Sequence, residues 1–250
     1  MDEFEKRVEE IVSGVSGFPK QANREYKCPV CKDMGWVPVT DGLGYPCLRE
    51  CKCMSMEKAK CRLEQSGISR EFTAKGFDNF DTRNIGQLVA AVNKAKRYCG
   101  NFRQMENTRY NSIIFSGQSG AGKTHLGMAI CNWLLGEKVA VVYMEYRNVV
   151  TKLKQHAADG QIYQGEISRY SSARVLYIDD LLKGKITESD INILYEIVNF
   201  RYMNNLPMII STEKSLEELM EFDEAIGGRI IEMCRKSLVR LEGRDLNYRF

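Results

Sequence analysis

The stretch Ser112-Ile-Ile-Phe-Ser116 runs straight into Gly117-Gln-Ser-Gly-Ala-Gly-Lys-Thr124, and that into the helix-compatible HLGMAICNWLL. A buried strand, a loop of the form G-x-x-x-x-G-K-[ST] and a helix, in that order, admit few folds. The glycines let backbone N–H groups curl around phosphates and feed them to the positive end of the helix. The sequence therefore predicts ATP against Gly117, Gln118, Ser119, Gly120, Ala121, Gly122, Lys123 and Thr124, with His125 next in line. Lys123 adds a point charge, and Thr124 offers a hydroxyl to Mg²⁺.

Such a loop needs an acidic residue at the end of a neighbouring buried strand, and Val175-Leu-Tyr-Ile-Asp-Asp180 supplies two. Asp179 is expected to help hold Mg²⁺, directly or through water, and Asp180 to orient or deprotonate an attacking water. The plainer alternative is an Asp-Asp pair that caps the next helix. Around these motifs the apolar runs 112–116, 139–144, 174–178 and 208–211 alternate with helix-length segments, and a run at 237–241 is a candidate for one more strand. That alternation predicts an α/β fold with a parallel sheet wrapped by helices. Ahead of it, Ile85, Leu88, Val89, Val92, Ala95, Cys99 and Phe102 recur at helical spacing.

The chain has nine cysteines, and six of them (Cys28, Cys31, Cys47, Cys51, Cys53 and Cys61) fall in one short segment. The start MDEFEKRVEEIV has no apolar core of signal-peptide length, so a cytoplasmic location with reduced thiols is expected. Clustered reduced thiols read as a metal site. Cys28-Pro-Val-Cys31 and Cys51-Lys-Cys53 have nearly the spacing of a four-thiolate Zn²⁺ ribbon, with Cys47 able by spacing to replace Cys51 or Cys53. The segment is rich in Gly and Pro and reads as turns with little core of its own. Cys61, Cys99, Cys131 and Cys234 read as small buried hydrophobes. A charged helix is expected over 2–12 and a helix-compatible run over 54–63. The boundary is placed near Ser66, giving a metal-binding module over 1–65 and a nucleotide-binding domain over 66–250. No run reaches the roughly 20 apolar residues that a membrane helix needs. A net charge of +3 permits nucleic-acid contact without arguing for it.

The segment CPVCKDMGW from Cys28 to Trp36, then CKC, SGIS, FDNF, GQSGAGKTHL and IDDLLKGK, resembles the phage and bacterial DnaC-type helicase loaders over nearly the whole chain. The resemblance implies a AAA+ ATPase core behind a small zinc-bearing module. It further implies loading of a replicative DnaB-type helicase, binding of single-stranded DNA, and assembly into a homo-oligomer when nucleotide or helicase is bound. It makes Pro207 to Glu213 the sensor I strand, with Glu213 where Asn is frequent and Ser211 and Thr212 beside it. A carboxylate there would be repelled by a triphosphate unless it meets a metal or a cation. By the same resemblance Arg229 is the candidate for a finger reaching a neighbouring subunit's nucleotide, and Arg249 for a phosphate contact in cis. A surface ion pair is the alternative for each. Arg147, Lys152, Lys154 and Arg169, with Tyr163 and Tyr170, suit strand binding or a solvated helix face. The transposition helper ATPases of the IstB type, which act on duplex DNA, look similar in the ATPase half and generally lack the cysteine module. A slowly hydrolysing scaffold is a third reading, since Asp180 stands where many AAA+ proteins carry the longer Glu.

Overall fold

The computed structural model describes residues 26–40, 42, 44–51, 53–54 and 74–248. The helix expected over 2–12, most of the run over 54–63, the boundary near Ser66, Cys61 and Arg249 lie outside the described residues. The chain divides into two compact units, Met1–Met54 and Ser55–Phe250.

In the first unit, strands β1 (Trp36–Thr40) and β2 (Pro46–Glu50) form an antiparallel hairpin with Trp36 opposite Glu50 and Thr40 opposite Pro46. The sequence reads this segment as turns alone; the strand forms because the Trp, Val and Thr of β1 suit a pleated strand, and β2 pairs with it across a Gly-containing turn. The side chains of this segment are largely exposed, Val30 before the hairpin and Tyr45 and Leu48 within it among them, while Cys31 and Cys51 at its flanks are buried. The hairpin therefore has almost no apolar core of its own.

Among the described residues of the second unit the first helix is α1 (Gly86–Met105), whose buried residues Leu88, Ala91, Val92, Ala95, Tyr98, Cys99 and Phe102 follow the predicted helical period. After it come β3 (Ile113–Gly117), α2 (Lys123–Gly136), β4 (Val141–Glu145), α3 (Tyr146–Gln155) and α4 (Gly160–Ser171). The chain continues through β5 (Val175–Leu181), α5 (Glu188–Met203), β6 (Met208–Thr212), α6 (Leu216–Phe222), α7 (Glu224–Cys234), β7 (Leu238–Leu241) and a 3₁₀ turn at Arg244–Leu246. The sheet order is β4-β5-β6-β3-β7, and all neighbours are parallel.

Alternation along each strand splits the core into two layers. Ile113, Phe115, Tyr177, Ile209 and Leu241 face α1 and α2. Ile114, Leu176, Ile178, Met208 and Ile210 face α3, α4, α5 and α7. Cover on both faces is why the central strands read as unbroken apolar runs. Each fully buried side chain of this kind contributes about 1.5–3 kcal/mol by leaving water. Thr187 with Asp190, and Ser215 with Glu218, form capping boxes that start α5 and α6. Arg201 of α5 is fully buried and donates to the carbonyls of Tyr170, Ser171, Ala173 and Pro207, tying the end of α4 to the beginnings of β5 and β6. No helix among the described residues is long and apolar enough to cross a membrane.

Candidate nucleotide site and cysteine cluster

β3 is flanked by β6 on one side and β7 on the other, and its carboxyl end opens where the chain must cross to the far edge of the sheet. Such switch points are where open α/β sheets bind ligands. The loop leaves β3 at Gly117, whose φ is +133°; a Cβ there would lie 2.1 Å from the carbonyl oxygen of Leu241. Gly120, at φ +78°, is crowded by Asn247 Oδ1 at 2.2 Å, and Gly122 by the ring of Phe80 at 2.7 Å. The loop is thus gripped from three directions. Tyr248 N donates to Gly120 O at 3.0 Å, and Gln118 Nε2 to Gly243 O at 2.6 Å.

Lys123 Nζ folds back across the loop and donates to Gly117 O at 2.8 Å and Gln118 O at 2.7 Å. Burial pushes its ammonium below the ordinary lysine value, against the opposing pull of Glu213, Asp180 and Asp179. No side chain caps the first turn of α2 and no acid lies in it. The positive end of that helix is left facing the loop, the arrangement that receives phosphate.

Opposite the loop, the Asp179 carboxylate is almost fully buried and accepts from four hydroxyls. Its Oδ1 takes Thr124 Oγ1 at 3.0 Å, Tyr177 OH at 2.7 Å and Ser211 Oγ; its Oδ2 takes Tyr143 OH at 3.1 Å. Tyr177 lies two residues before Asp179 and so shares its face of β5, and Tyr143 is its register partner on β4. Burial, reinforced by the Asp179 charge, raises both phenols, which keeps them protonated as donors. Asp180 differs from its neighbour. It sits at φ +54°, half-buried on the cleft wall, with its N–H donating to Ser211 Oγ at 2.9 Å and its carboxylate 2.6 Å from Lys183 Nζ.

The cleft has a volume of about 670 Å³, within the range of small-molecule sites. Lys123, Thr124, Asp179, Asp180, Lys183 and Glu213 line one end, and Asn79, Phe80, His125 and Tyr248 the other. His125 Nε2 meets Gly76 O at 2.9 Å, so the neutral ring carries its proton there, and burial lowers its pKa.

In the first unit the sulfurs of Cys28, Cys31, Cys51 and Cys53 all lie within 4.8 Å of one another. Tetrahedral Zn²⁺ with Zn–S bonds of about 2.3 Å places its sulfurs about 3.8 Å apart. Cys28 and Cys51 stand at 3.8 Å, and Cys31 and Cys53 at 3.3 Å. Gly35 N donates to Cys31 Sγ at 3.3 Å, and Cys51 N to Gly35 O at 2.7 Å. Backbone hydrogen bonds from Cys31 and Val30 bring the Cys28 thiol down to about 7. Cys47 is exposed, opposite Val39 in the hairpin and outside this group. Spacing admits it as a ligand; the hairpin register turns it away.

The loop residues, Asp179 and Asp180 come together as their motifs require. Glu213 reaches the cleft, with its carboxylate 3.8 Å from Lys183 Nζ, so a cation does stand beside it. Ser211, not Glu213, touches the Asp179 carboxylate. Arg229 lies away from the cleft on α7, bonded to Ala225 O at 2.9 Å and over the rings of Tyr195 and Tyr202. Among the residues considered for strand binding, Tyr170 is buried, Tyr163 donates to Glu196, and Lys154 pairs with Asp190 at 2.6 Å. Cys99, Cys131 and Cys234 are buried as expected. The sequence reading named Ser211 beside Glu213 but missed Tyr143, Tyr177 and Lys183. The i, i+2 relation of Tyr177 to Asp179 was a usable signal, whereas Tyr143 depended on strand order.

Residues 76–236, which carry both halves of the nucleotide site, match the family described as IstB-like ATP binding protein. The chain is 36% identical over 233 residues to the phage-like element PBSX protein XkdC of Bacillus subtilis, covering 90% of this chain and 86% of that protein. It is 28% identical over 190 residues to the replicative helicase loader DnaC of Escherichia coli K12, covering 75% of this chain and 72% of that one. The crystal structure of the DnaC helicase loader shares the fold, with a TM-score of 0.59 at 18% identity over 69% of this chain and 99% of that chain. With a phosphate loop, an acidic strand end and a five-stranded parallel sheet in this order, the chain belongs to the IstB-like ATP-binding proteins and carries the AAA+ fold of the DnaC-type loaders.

Proposed function

We propose that this protein is an ATP-hydrolysing loader that carries a replicative DNA helicase onto single-stranded DNA. The observation that carries the ATPase part is the 3.0 Å contact between Thr124 Oγ1 and Asp179 Oδ1, which joins the phosphate loop to the acidic strand in one cleft with Lys123. The loader part draws on the likeness to DnaC over three quarters of the chain.

Lys123 and the amides at the start of α2 hold the phosphates. Thr124 and Asp179 are the residues that would hold Mg²⁺, which when bound neutralises charge on the phosphates. Tyr143, Tyr177 and Ser211 hold the Asp179 carboxylate in its orientation. Asp180, the more exposed acid, is the acceptor for the proton of the water that attacks the terminal phosphorus as the bond to the bridging oxygen breaks and ADP leaves. Arg229, distant from its own cleft, suits a neighbouring subunit's nucleotide in a homo-oligomer. Arg249 remains the proposed phosphate contact in cis. Cys28, Cys31, Cys51 and Cys53 would hold Zn²⁺, which gives the hairpin the folding energy its missing core does not. The region up to about residue 65 is the proposed helicase contact.

The test is capture of the host replicative helicase by the purified protein with and without ATP, beside binding of single-stranded and duplex DNA. Nucleotide-sensitive capture and a preference for single strands support the loader. No capture in any nucleotide state, together with tight duplex binding, sinks it in favour of a transposition helper.

A further inference from the structure

Lys183 lines the cleft, and the nucleotide motifs leave its role open. It lies on the turn after β5, with Lys183 N donating to Asp180 O at 3.1 Å. Two non-glycine residues of the turn take left-handed backbone shapes, Asp180 at φ +54° and Leu182 at +61°, and Gly184 follows at +89°, which glycine adopts freely. Left-handed conformations at non-glycine residues persist where the surroundings enforce them, and they gather at functional sites. Here Thr212 Oγ1 donates to Leu181 O at 2.8 Å, and Arg147 donates to Lys185 O at 2.8 Å, so both ends of the turn are pinned. The result is a fixed backbone from which a flexible lysine stem enters the cleft.

The ammonium rests between two acids, 2.6 Å from Asp180 Oδ2 and 3.8 Å from Glu213 Oε1. Its side chain is about half exposed, at 48%, and those of its partners 30% and 38%. Pairs as solvated as these contribute little to stability, so they yield to a stronger anion. A terminal phosphate carries more charge than a carboxylate and offers three acceptor oxygens. Lys183 lines the same cleft as Lys123, Thr124 and Asp179, and its ion pair with Asp180 holds it beside the acidic end of β5.

We propose that Lys183 is a second, cis-acting contact for the terminal phosphate of ATP, which it reaches by leaving Asp180 and Glu213. Resting on the ATP-binding reading above, this makes the residue a discriminator between triphosphate and diphosphate. It also couples nucleotide recognition to chemistry, since the arrival of the terminal phosphate releases the Asp180 carboxylate to accept a proton. Bound ADP leaves Lys183 with its two acids and Asp180 neutralised.

The experiment is calorimetric titration of the full-length protein, in Mg²⁺, with ADP and with the non-hydrolysable β,γ-methylene analogue of ATP. Wild type is expected to favour the analogue. Lys183→Gln is expected to lower that preference about tenfold, the size of one charge-assisted contact, while ADP affinity holds to within about twofold; Lys183→Arg retains the preference. The same substitution in an Asp180→Asn background separates contact from mere neutralisation. A loss of preference that persists there supports direct contact, and one that disappears overturns it. Equal weakening of both nucleotides by Lys183→Gln also overturns it. Failure of the ATP reading itself looks different: wild type binds neither nucleotide, or Lys123→Ala binds both as well as wild type.

Discussion

Replacing Arg201 by Met tests whether the fold depends on a charge held in its interior without a carboxylate. The guanidinium is fully buried, and burial pushes it down to about 9, so it remains charged at neutral pH. Its hydrogen bonds run 2.9 Å to Tyr170 O, 3.1 Å to Ser171 O, 2.8 Å to Ala173 O and 2.6 Å to Pro207 O. Methionine fills much of the volume and returns no donors, leaving these carbonyls to find others. Pro207 O keeps a bond from Leu176 N at 3.2 Å. The loss is therefore three carbonyls at about 1–3 kcal/mol each, offset by the relief of burying no charge, for a net of about 3–5 kcal/mol. In a domain of this size that lowers Tm by roughly 6–20 °C. Urea unfolding of the nucleotide-free protein, followed by far-UV circular dichroism with the slope held in check, measures it. Arg201→Lys should recover part of the loss, since one ammonium reaches fewer of the four oxygens. A loss below about 1 kcal/mol for Arg201→Met would refute the reasoning, because it would mean that water already serves these carbonyls.

Three further outcomes are expected. A Cβ at Gly127 would lie 2.5 Å from the Tyr177 ring and hydroxyl, so Gly127→Ala should destabilise by about 1–3 kcal/mol and lower ATP turnover by dislodging a donor from Asp179; unchanged turnover counts against the role given to Tyr177. Purified protein should carry one Zn²⁺ per chain by metal analysis; Cys31→Ser should lose it and Cys47→Ser keep it, and loss in Cys47→Ser would show that the ligand set is wrong. Burial depresses His125, so its contribution to stability is present above the ordinary histidine value near 6.5 and is lost as pH falls toward its lower folded value. His125→Gln should flatten the change in urea midpoint between about pH 7.5 and about pH 5.5, and an unaltered slope would place the titration elsewhere.

The parallel sheet was legible because fully buried strands read as apolar runs, and the phosphate loop because its glycines have one geometric use. The candidate β7 at 237–241 appears at Leu238–Leu241, where it pairs with β3. The four-thiolate group was legible from spacing, but the choice between Cys47 and its rivals depended on the pairing of Val39 with Cys47, which puts that thiol on the solvent side. The hydroxyls around Asp179 were harder to foresee. Tyr143, Tyr177, Thr124 and Ser211 come from four separate elements, and only the order β4-β5-β6-β3 makes them neighbours. Lys183 was hidden for another reason: a lysine on a polar turn has no periodicity, and only the backbone shape of that turn directs it into the cleft.

The three crowded loop glycines have a consequence for the timing of folding. Phe80 is made before the loop, but Gly243, which exchanges hydrogen bonds with Gln118, follows it by 125 residues, and Leu241 and Asn247 come from the same late segment. A chain emerging from the ribosome can pair its early strands and still lack the groups that shape the phosphate loop. Competence to hold nucleotide then arrives only with the segment from β7 to Asn247, so a chain stalled before β7 is synthesised would have most of the sheet and still be unable to grip ATP.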